Sequence, residues 1–250
     1  MSIQLSPIIA GVMNWGVWDK NLNTNEFTHL INLFIENGIT TFDHADIYGG
    51  YTTEASFGKA LSESKIDRKK IQLITKCGIQ YVSENRPNNS IKHYEYSKDY
   101  IIWSAENSLK NLQTDYLDVF LLHRPSPLMQ ADEIAEAVSK LKADGKILSF
   151  GVSNFTPSQT ELIRQKTQVD INQIQFSATH NEAMLDGSLD YMQVHNIKPM
   201  AWNPLGTVFR ENTDQTFRLR QLLAKLVEKY RIGSDIILLA WIMQHPAGIS

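Results

Sequence analysis

Four side chains in this sequence make a proton-transfer set: Asp43, Tyr48, Lys76 and His123. A free phenol has a pKa of about 10, too high for efficient proton exchange at neutral pH. A nearby ammonium favours the phenolate and lowers that value, and Lys76 can supply the ammonium. A buried lysine tends to lose its proton unless it is paired, and Asp43 can hold it charged. His123 can donate a hydrogen bond to a carbonyl oxygen and stabilise charge that develops there. In such an arrangement Tyr48 delivers a proton while a hydride comes from elsewhere. No side chain carries a hydride, so this chemistry requires a cofactor. Ser153, Asn154 and Gln173 offer the hydroxyl and amide groups that suit a carboxamide, and Trp202 offers a flat face for a nicotinamide ring.

Taken singly, each residue has a plainer reading. Asp43 is a helix cap or turn residue, Tyr48 beside Gly49-Gly50 a loop aromatic, and Lys76 a surface lysine. His123 satisfies backbone groups, Asn154 caps a turn, and Trp202 belongs to the core. What changes the odds is recurrence, because a polar or aromatic residue comes at the same end of successive apolar runs.

Those runs are the strands that must position the set. Strands are expected at Ile8–Trp15, Thr40–Asp43, Ile71–Lys76, Leu117–His123, Ile147–Val152, Ile171–Gln175 and Lys198–Trp202. Several are nearly continuous apolar stretches, the pattern of parallel strands buried on both faces. Between them lie helix-length amphipathic segments. Thr24 precedes a helix that closes at Gly38, and Ser97 caps a helix with Ile101, Ala105, Leu109 and Leu112 on its apolar face. Thr156-Pro157-Ser158-Gln159 reads as a capping box with proline at the first helical position. Thr213 or Asp214 opens a helix whose inner face includes Phe217, Leu222, Leu223, Leu226, Val227 and Tyr230, and a last helix covers about Ser234–Gln244. The polar stretch Gly78–Ser97 has no periodicity, and a loop of that length in a compact domain is usually functional or disordered.

Seven βα units without a linker suit one domain over residues 1–250, either a (β/α)₈ TIM barrel or a doubly wound sheet. No GxGxxG follows the first strand, which disfavours a dinucleotide-binding Rossmann domain. In a barrel, catalytic groups come from the C-terminal strand ends, where Asp43, Lys76, His123, Ser153 and Trp202 fall.

The 250 residues carry a formal net charge of -3, against a nucleic-acid partner. The single cysteine, Cys77, allows no intrachain disulfide and no cysteine-based zinc site, and no metal is expected. The N-terminal stretch lacks a basic region ahead of an apolar run, and the longest apolar run, Ile236–Met243, is far too short to span a bilayer. No membrane partner is expected, and a cytoplasmic monomer or weak oligomer is.

At this point the residues resemble a known family. Gly38–Leu61, with Asp43, Tyr48, Glu54 and Gly58, is similar to the first motif of the aldo-keto reductases. Ile74–Gly78 resembles the family's lysine strand, Tyr116–Pro125 its histidine strand, and Gly145–Phe155 the next. Ile171–Ser177 and Met200–Gly206 resemble the sixth and seventh, and His123–Leu128 resembles the bacterial oxidoreductase branch. The resemblance implies a (β/α)₈ barrel that reduces an aldehyde or ketone with NADPH. It implies Tyr48 as the acid, Lys76 and Asp43 as its tuning pair, and His123 as the group orienting a small carbonyl substrate. Ser153, Asn154 and Gln173 would hold the carboxamide and Trp202 would stack on the ring. Asn203, where the family often has serine, would line the cofactor with Pro204 and Leu205. Trp15 and Trp18 are candidate apolar walls for the substrate, with an ordinary core role equally open for Trp15.

The eighth βα unit, with the segment that grips the 2′-phosphate, is expected beyond Gly248–Ser250, so the barrel reads as incomplete. Two other functions fit the same residues: a regulatory or binding protein resembling the potassium-channel β-subunits, and a cofactor-poor truncated product.

Overall fold

The computed structural model describes residues 4–250. Residues 1–3 of the N-terminal stretch, read above as lacking a signal, lie outside the described residues. The described chain forms two compact units, one ending at Asp170 and the other spanning Ile171–Ser250.

The first unit is a parallel βα repeat. Its strands are β1 (Ala10–Gly11), β2 (Thr41–Asp43), β3 (Gln72–Cys77), β4 (Leu117–Leu122) and β5 (Ile147–Ser153). Its helices are α1 (Thr24–Glu36), α2 (Thr53–Ser64), α3 (Lys98–Leu112), α4 (Ala131–Ala143) and α5 (Pro157–Arg164). Neighbouring strands run parallel in the order β1-β2-β3-β4-β5. The register sets Asp43 opposite Ile74 and Lys76 opposite Leu121. The second unit holds β6 (Ile171–Gln175), parallel to β7 (Lys198–Trp202), with α6 (Ser188–Val194), α7 (Asp214–Tyr230) and α8 (Ser234–Met243). Ser250 accepts from the Ala201 N–H at 2.8 Å and donates to the Pro199 carbonyl at 3.3 Å. That is a parallel-type pair beside β7, where the sequence calls for a further strand to begin.

The caps show how local sequence sets the helix starts. Thr156 forms the expected capping box with Gln159, and Thr213, one of the two expected openers of its helix, forms another with Thr216. Thr24 is the first residue of α1, and its cap is Asn23, whose side chain accepts from Asn25 and Glu26. Ser97 occupies the cap position of α3 but its hydroxyl caps nothing; Glu95 and Glu133 accept from the Ser97 and Lys98 N–H groups instead. On α7 only Thr216 and Leu223 are buried, whereas Phe217, Leu222 and Tyr230 are exposed. The buried stripe of α7 therefore follows the three-and-four spacing through 216, 219, 223 and 226–227, and those three residues lie off it.

The first strand is shorter than expected, because the chain turns after Val12, whose N–H donates to the Asp43 carbonyl. Trp15 falls in this turn and points into the core. Its ring centroid lies 5.6 Å from Phe27, 5.7 Å from Phe34, 6.4 Å from Phe42 and 6.3 Å from Phe57. With its ring enclosed by four phenylalanines, Trp15 packs in the core, the second of its two readings above. Behind it Gly58 lets α2 touch α3, since a Cβ there would sit 2.1 Å from the Asn111 carbonyl oxygen.

Replacing Trp15 by alanine should remove this aromatic hub and lower the unfolding free energy by about 3–5 kcal/mol. Urea titration measures it. An unchanged midpoint together with a raised KM would restore Trp15 to the substrate site.

Candidate active site

The β2 and β3 strand ends bring Asp43 and Lys76 together. Lys76 is 1% exposed, and its ammonium donates to Asp43 Oδ1 at 2.7 Å, Asp43 Oδ2 at 2.8 Å and the His44 carbonyl at 2.7 Å. Its remaining contact is the Tyr48 hydroxyl, 3.3 Å away. Burial drives the Lys76 ammonium toward losing its proton, but the Asp43 carboxylate and the Tyr48 oxygen together outweigh it and hold its pKa above the usual lysine value. The three residues named from the sequence thus lie together in space.

The direction of the phenol's shift is not as expected. Burial, the largest effect, raises the Tyr48 pKa; Lys76 opposes it, and Asp43 adds to the rise. The net shift is upward, because the ammonium's pull is shared with the carboxylate that keeps it charged. Tyr48 is accordingly a protonated phenol at neutral pH.

His123 follows β4, with its N–H bonded to the Cys77 carbonyl at 2.9 Å. Its ring centroid is 6.2 Å from that of Tyr48. Its Nδ1 is buried with no hydrogen-bond partner. Burial, followed by Lys76 and Arg124, holds its pKa well below the ordinary value of 6.5. The imidazole is therefore neutral, with one nitrogen able to donate.

Most of the remaining candidates lie on strands or just after them. Ser153 closes β5, and the Asn154 amide donates to its hydroxyl at 2.8 Å, with Asn154 in a left-handed conformation at φ 60°. In the second unit Gln173 is buried within β6 and Trp202 ends β7, partly exposed. Asn203 is also left-handed, at φ 54°, and its side-chain oxygen accepts from Arg210 at 2.7 Å. Pro204 is partly exposed, and Leu205 packs against the Val208, Leu223 and Leu238 cluster. Hydroxyl and carboxamide groups of this kind are neutral donors and acceptors, which match a nicotinamide carboxamide in chemistry. Trp18 is 46% exposed, its ring 6.2 Å from Tyr48 and 6.3 Å from Tyr81. It stands beside the Tyr48 phenol, where Trp15 does not.

Sequence reasoning missed three residues around Tyr48. Tyr51 and Tyr81 stack at 5.2 Å on the turn that carries Tyr48. Asp46 is a buried carboxyl whose N–H donates to the Lys76 carbonyl. Its Oδ2 accepts from Tyr100 and Ser104, each at 3.3 Å. Burial, then Glu54, pushes its pKa up to about 8, so it is protonated at neutral pH. For Tyr81 the signal was the polar stretch Gly78–Ser97, which has no helical or strand period; Asp46 and Tyr51 lie in the Gly38–Leu61 segment. That stretch is ordered, pairing Ile79–Gln80 antiparallel with His93–Tyr94.

The family model of the aldo/keto reductase family matches residues 7–250. The chain is 46% identical over 252 residues to the uncharacterized oxidoreductase YcsN of Bacillus subtilis, covering 99% of this chain and 83% of that protein. It is 35% identical over 251 residues to a 6-dehydroglucose reductase of Agrobacterium fabrum, again covering 99% of this chain and 83% of that protein. A crystal structure of an aldo/keto reductase from Klebsiella pneumoniae, in complex with NADP and acetate, superposes with a TM-score of 0.78 at 27% identity. It covers 96% of this chain and 78% of its own. The parallel α/β architecture is that of the (β/α)₈ barrel neighbours. With this match over nearly its whole length, the chain belongs to the aldo/keto reductase family, oxidoreductases that reduce carbonyl compounds with a nicotinamide cofactor.

Proposed function

We propose that this protein reduces an aldehyde or ketone to an alcohol with NADPH, and that Tyr48 is the proton donor. The observation that carries the reading is the Lys76 ammonium, bonded to Asp43 and in reach of the Tyr48 hydroxyl.

When bound, the nicotinamide cofactor supplies the hydride, which no side chain can provide. The chain's residues do the rest. The neutral His123 imidazole donates a hydrogen bond to the substrate oxygen and orients it between His123 and Tyr48. As negative charge gathers on that oxygen, the Tyr48 O–H bond breaks and its proton goes to the oxygen. The electron pair stays on the phenol oxygen as phenolate, beside the Lys76 ammonium, until solvent returns a proton. Asp43 keeps Lys76 charged through the cycle. Ser153, Asn154 and Gln173 would hold the carboxamide, Trp202 would stack on the ring, and Asn203, Pro204 and Leu205 would line the adjoining part of the cofactor. Arg210, bonded to Asn203, would add positive charge near its phosphates. Trp18 would form one wall for the substrate. The likeness to a 6-dehydroglucose reductase makes sugar-borne aldehydes the first substrates to try, beside simple aldehydes and ketones.

Tyr48→Phe should abolish oxidation of NADPH by nitrobenzaldehydes and methylglyoxal. Near-normal turnover in that variant would remove Tyr48 from the mechanism. Lys76→Met should lower kcat by roughly a hundredfold or more, in the range of lost acid–base assistance.

The pH profile follows from the shifts. Reduction consumes the protonated phenol, and burial raises its pKa, so kcat for reduction should stay flat through neutrality and fall only in the alkaline range. Alcohol oxidation should rise over that same alkaline range. His123 is already neutral and should add no limb near its ordinary pKa of 6.5. A limb there would contradict the assignment. Trp18→Ala should raise KM for bulky carbonyls with kcat little changed, the signature of uniform binding lost.

A further inference from the structure

Immediately after Tyr48 the backbone turns left-handed for three residues running. Gly49 has φ 60° and Gly50 φ 67°, as glycine readily allows. The third is Tyr51, at φ 71°. For a residue with a side chain this region costs about 1–2 kcal/mol and persists only where the surroundings enforce it.

The surroundings are one arm, the Gly78–Ser97 segment that leaves the strand carrying Lys76. The Tyr51 hydroxyl donates to the Ile79 carbonyl at 3.3 Å and accepts from the Tyr81 N–H at 3.3 Å. The Tyr51 ring stacks on Tyr81, with an interplanar angle of 16°, and the Arg86 guanidinium lies 4.6 Å from its centroid. Arg86 also lies 4.4 Å from the Trp103 ring on α3, which ties the arm to the helix layer. The rest of the turn is held from the same side. The Asn85 amide donates to the Gly50 carbonyl at 2.7 Å, and the Tyr81 hydroxyl to the Ile47 carbonyl at 3.4 Å. Tyr48 lies between those two anchored carbonyls. The arm thus joins the end of the lysine strand to both flanks of the phenol.

We propose that Tyr51 is a positioning residue: it clasps the Ile79–Arg86 arm onto the turn and so fixes the Tyr48 hydroxyl at its contact with the Lys76 ammonium. The clasp rests on the proton-donor reading of Tyr48. It adds that the distance between phenol and ammonium is set by a phenol three residues on, not by the Asp43–Lys76 pair. The strain at Tyr51 has a use in this reading. Glycine would relax the turn, but only an aromatic ring with a hydroxyl fills the space between Tyr81 and Arg86 and bonds both backbone groups of the arm.

The test uses the full chain, NADPH and 4-nitrobenzaldehyde, with Tyr51→Phe and Tyr51→Gly beside Tyr48→Phe. Tyr51→Phe keeps the stack and loses both hydroxyl bonds; Tyr51→Gly relieves the backbone strain and loses the clasp. Misplacing a reacting group by about an ångström costs up to about a hundredfold, so kcat should fall about tenfold or more in Tyr51→Gly and several-fold in Tyr51→Phe. KM and NADPH affinity should change less than about twofold, since the clasp touches neither ligand. The groups acting on the Tyr48 phenol are Lys76, Asp43 and Arg124. Of these only the Lys76 contact loosens, so the alkaline limb of alcohol oxidation should move to higher pH. A merely structural role would lower the unfolding midpoint without moving that limb.

Wild-type kcat and limb position in Tyr51→Phe overturn the clasp, as does a loss confined to KM. This holds whether or not Tyr51→Gly folds. If Tyr48→Phe is inactive while both Tyr51 variants behave as wild type, only the clasp fails. An active Tyr48→Phe removes the proton-donor reading and the clasp with it.

Discussion

A fully buried ammonium needs all its charge answered, and the Lys76–Asp43 pair supplies that answer at the centre of the site. Taking an ammonium and a carboxylate out of water costs several kcal/mol each, recovered only when geometry is good and the remaining hydrogen-bonding capacity is met. Here both carboxylate oxygens and the His44 carbonyl lie within hydrogen-bond distance of one nitrogen. The pair also spans two adjacent parallel strands, because β2 and β3 register Asp43 against Ile74, two residues before Lys76. Loss of either partner would leave an unpaired charge in the core, so structure and chemistry share the same constraint.

That pair decides how the phenol behaves. An isolated ammonium beside Tyr48 would draw it toward phenolate, but one already neutralised by a carboxylate draws less, and burial wins. In the mechanism proposed above, this suits a donor that must hold its proton until charge appears on the substrate. The ammonium would then act on the product phenolate, where its attraction is greatest, and so favour the transition state more than the ground state. Neutral His123 follows from the same field: burial and the nearby Lys76 and Arg124 charges forbid a second cation. Asp46 behind the turn is also pushed toward its neutral form, by its own burial and by Glu54.

The Gly78–Ser97 loop, read from the sequence as functional or disordered, packs on the same turn. Its Ile79, Tyr81 and Asn85 meet the turn after Tyr48, through stacking on Tyr51 and backbone hydrogen bonds. Trp18 closes another side of the same phenol, within reach of both Tyr48 and Tyr81. The mouth of the site is therefore aromatic, while its floor is ionic.

Much of this was legible in the residues alone. Continuous apolar runs marked parallel strands, since both faces of each must be buried. The polar residues at their ends marked the edge where Asp43, Lys76 and His123 lie, because barrel strands present their C-terminal ends to the site. Asp43, Lys76, Tyr48 and His123 could be named from type and order. Only the tertiary structure separated Trp15 from Trp18: they lie three residues apart in one turn, and which ring faces the phenylalanine cluster depends on where the chain bends after Val12. It also decided the sign of the Tyr48 shift, because burial and ion pairing compete and spacing carries no distances. And it alone showed Tyr51 in a left-handed turn, since that conformation is imposed by an arm some thirty residues away in the chain.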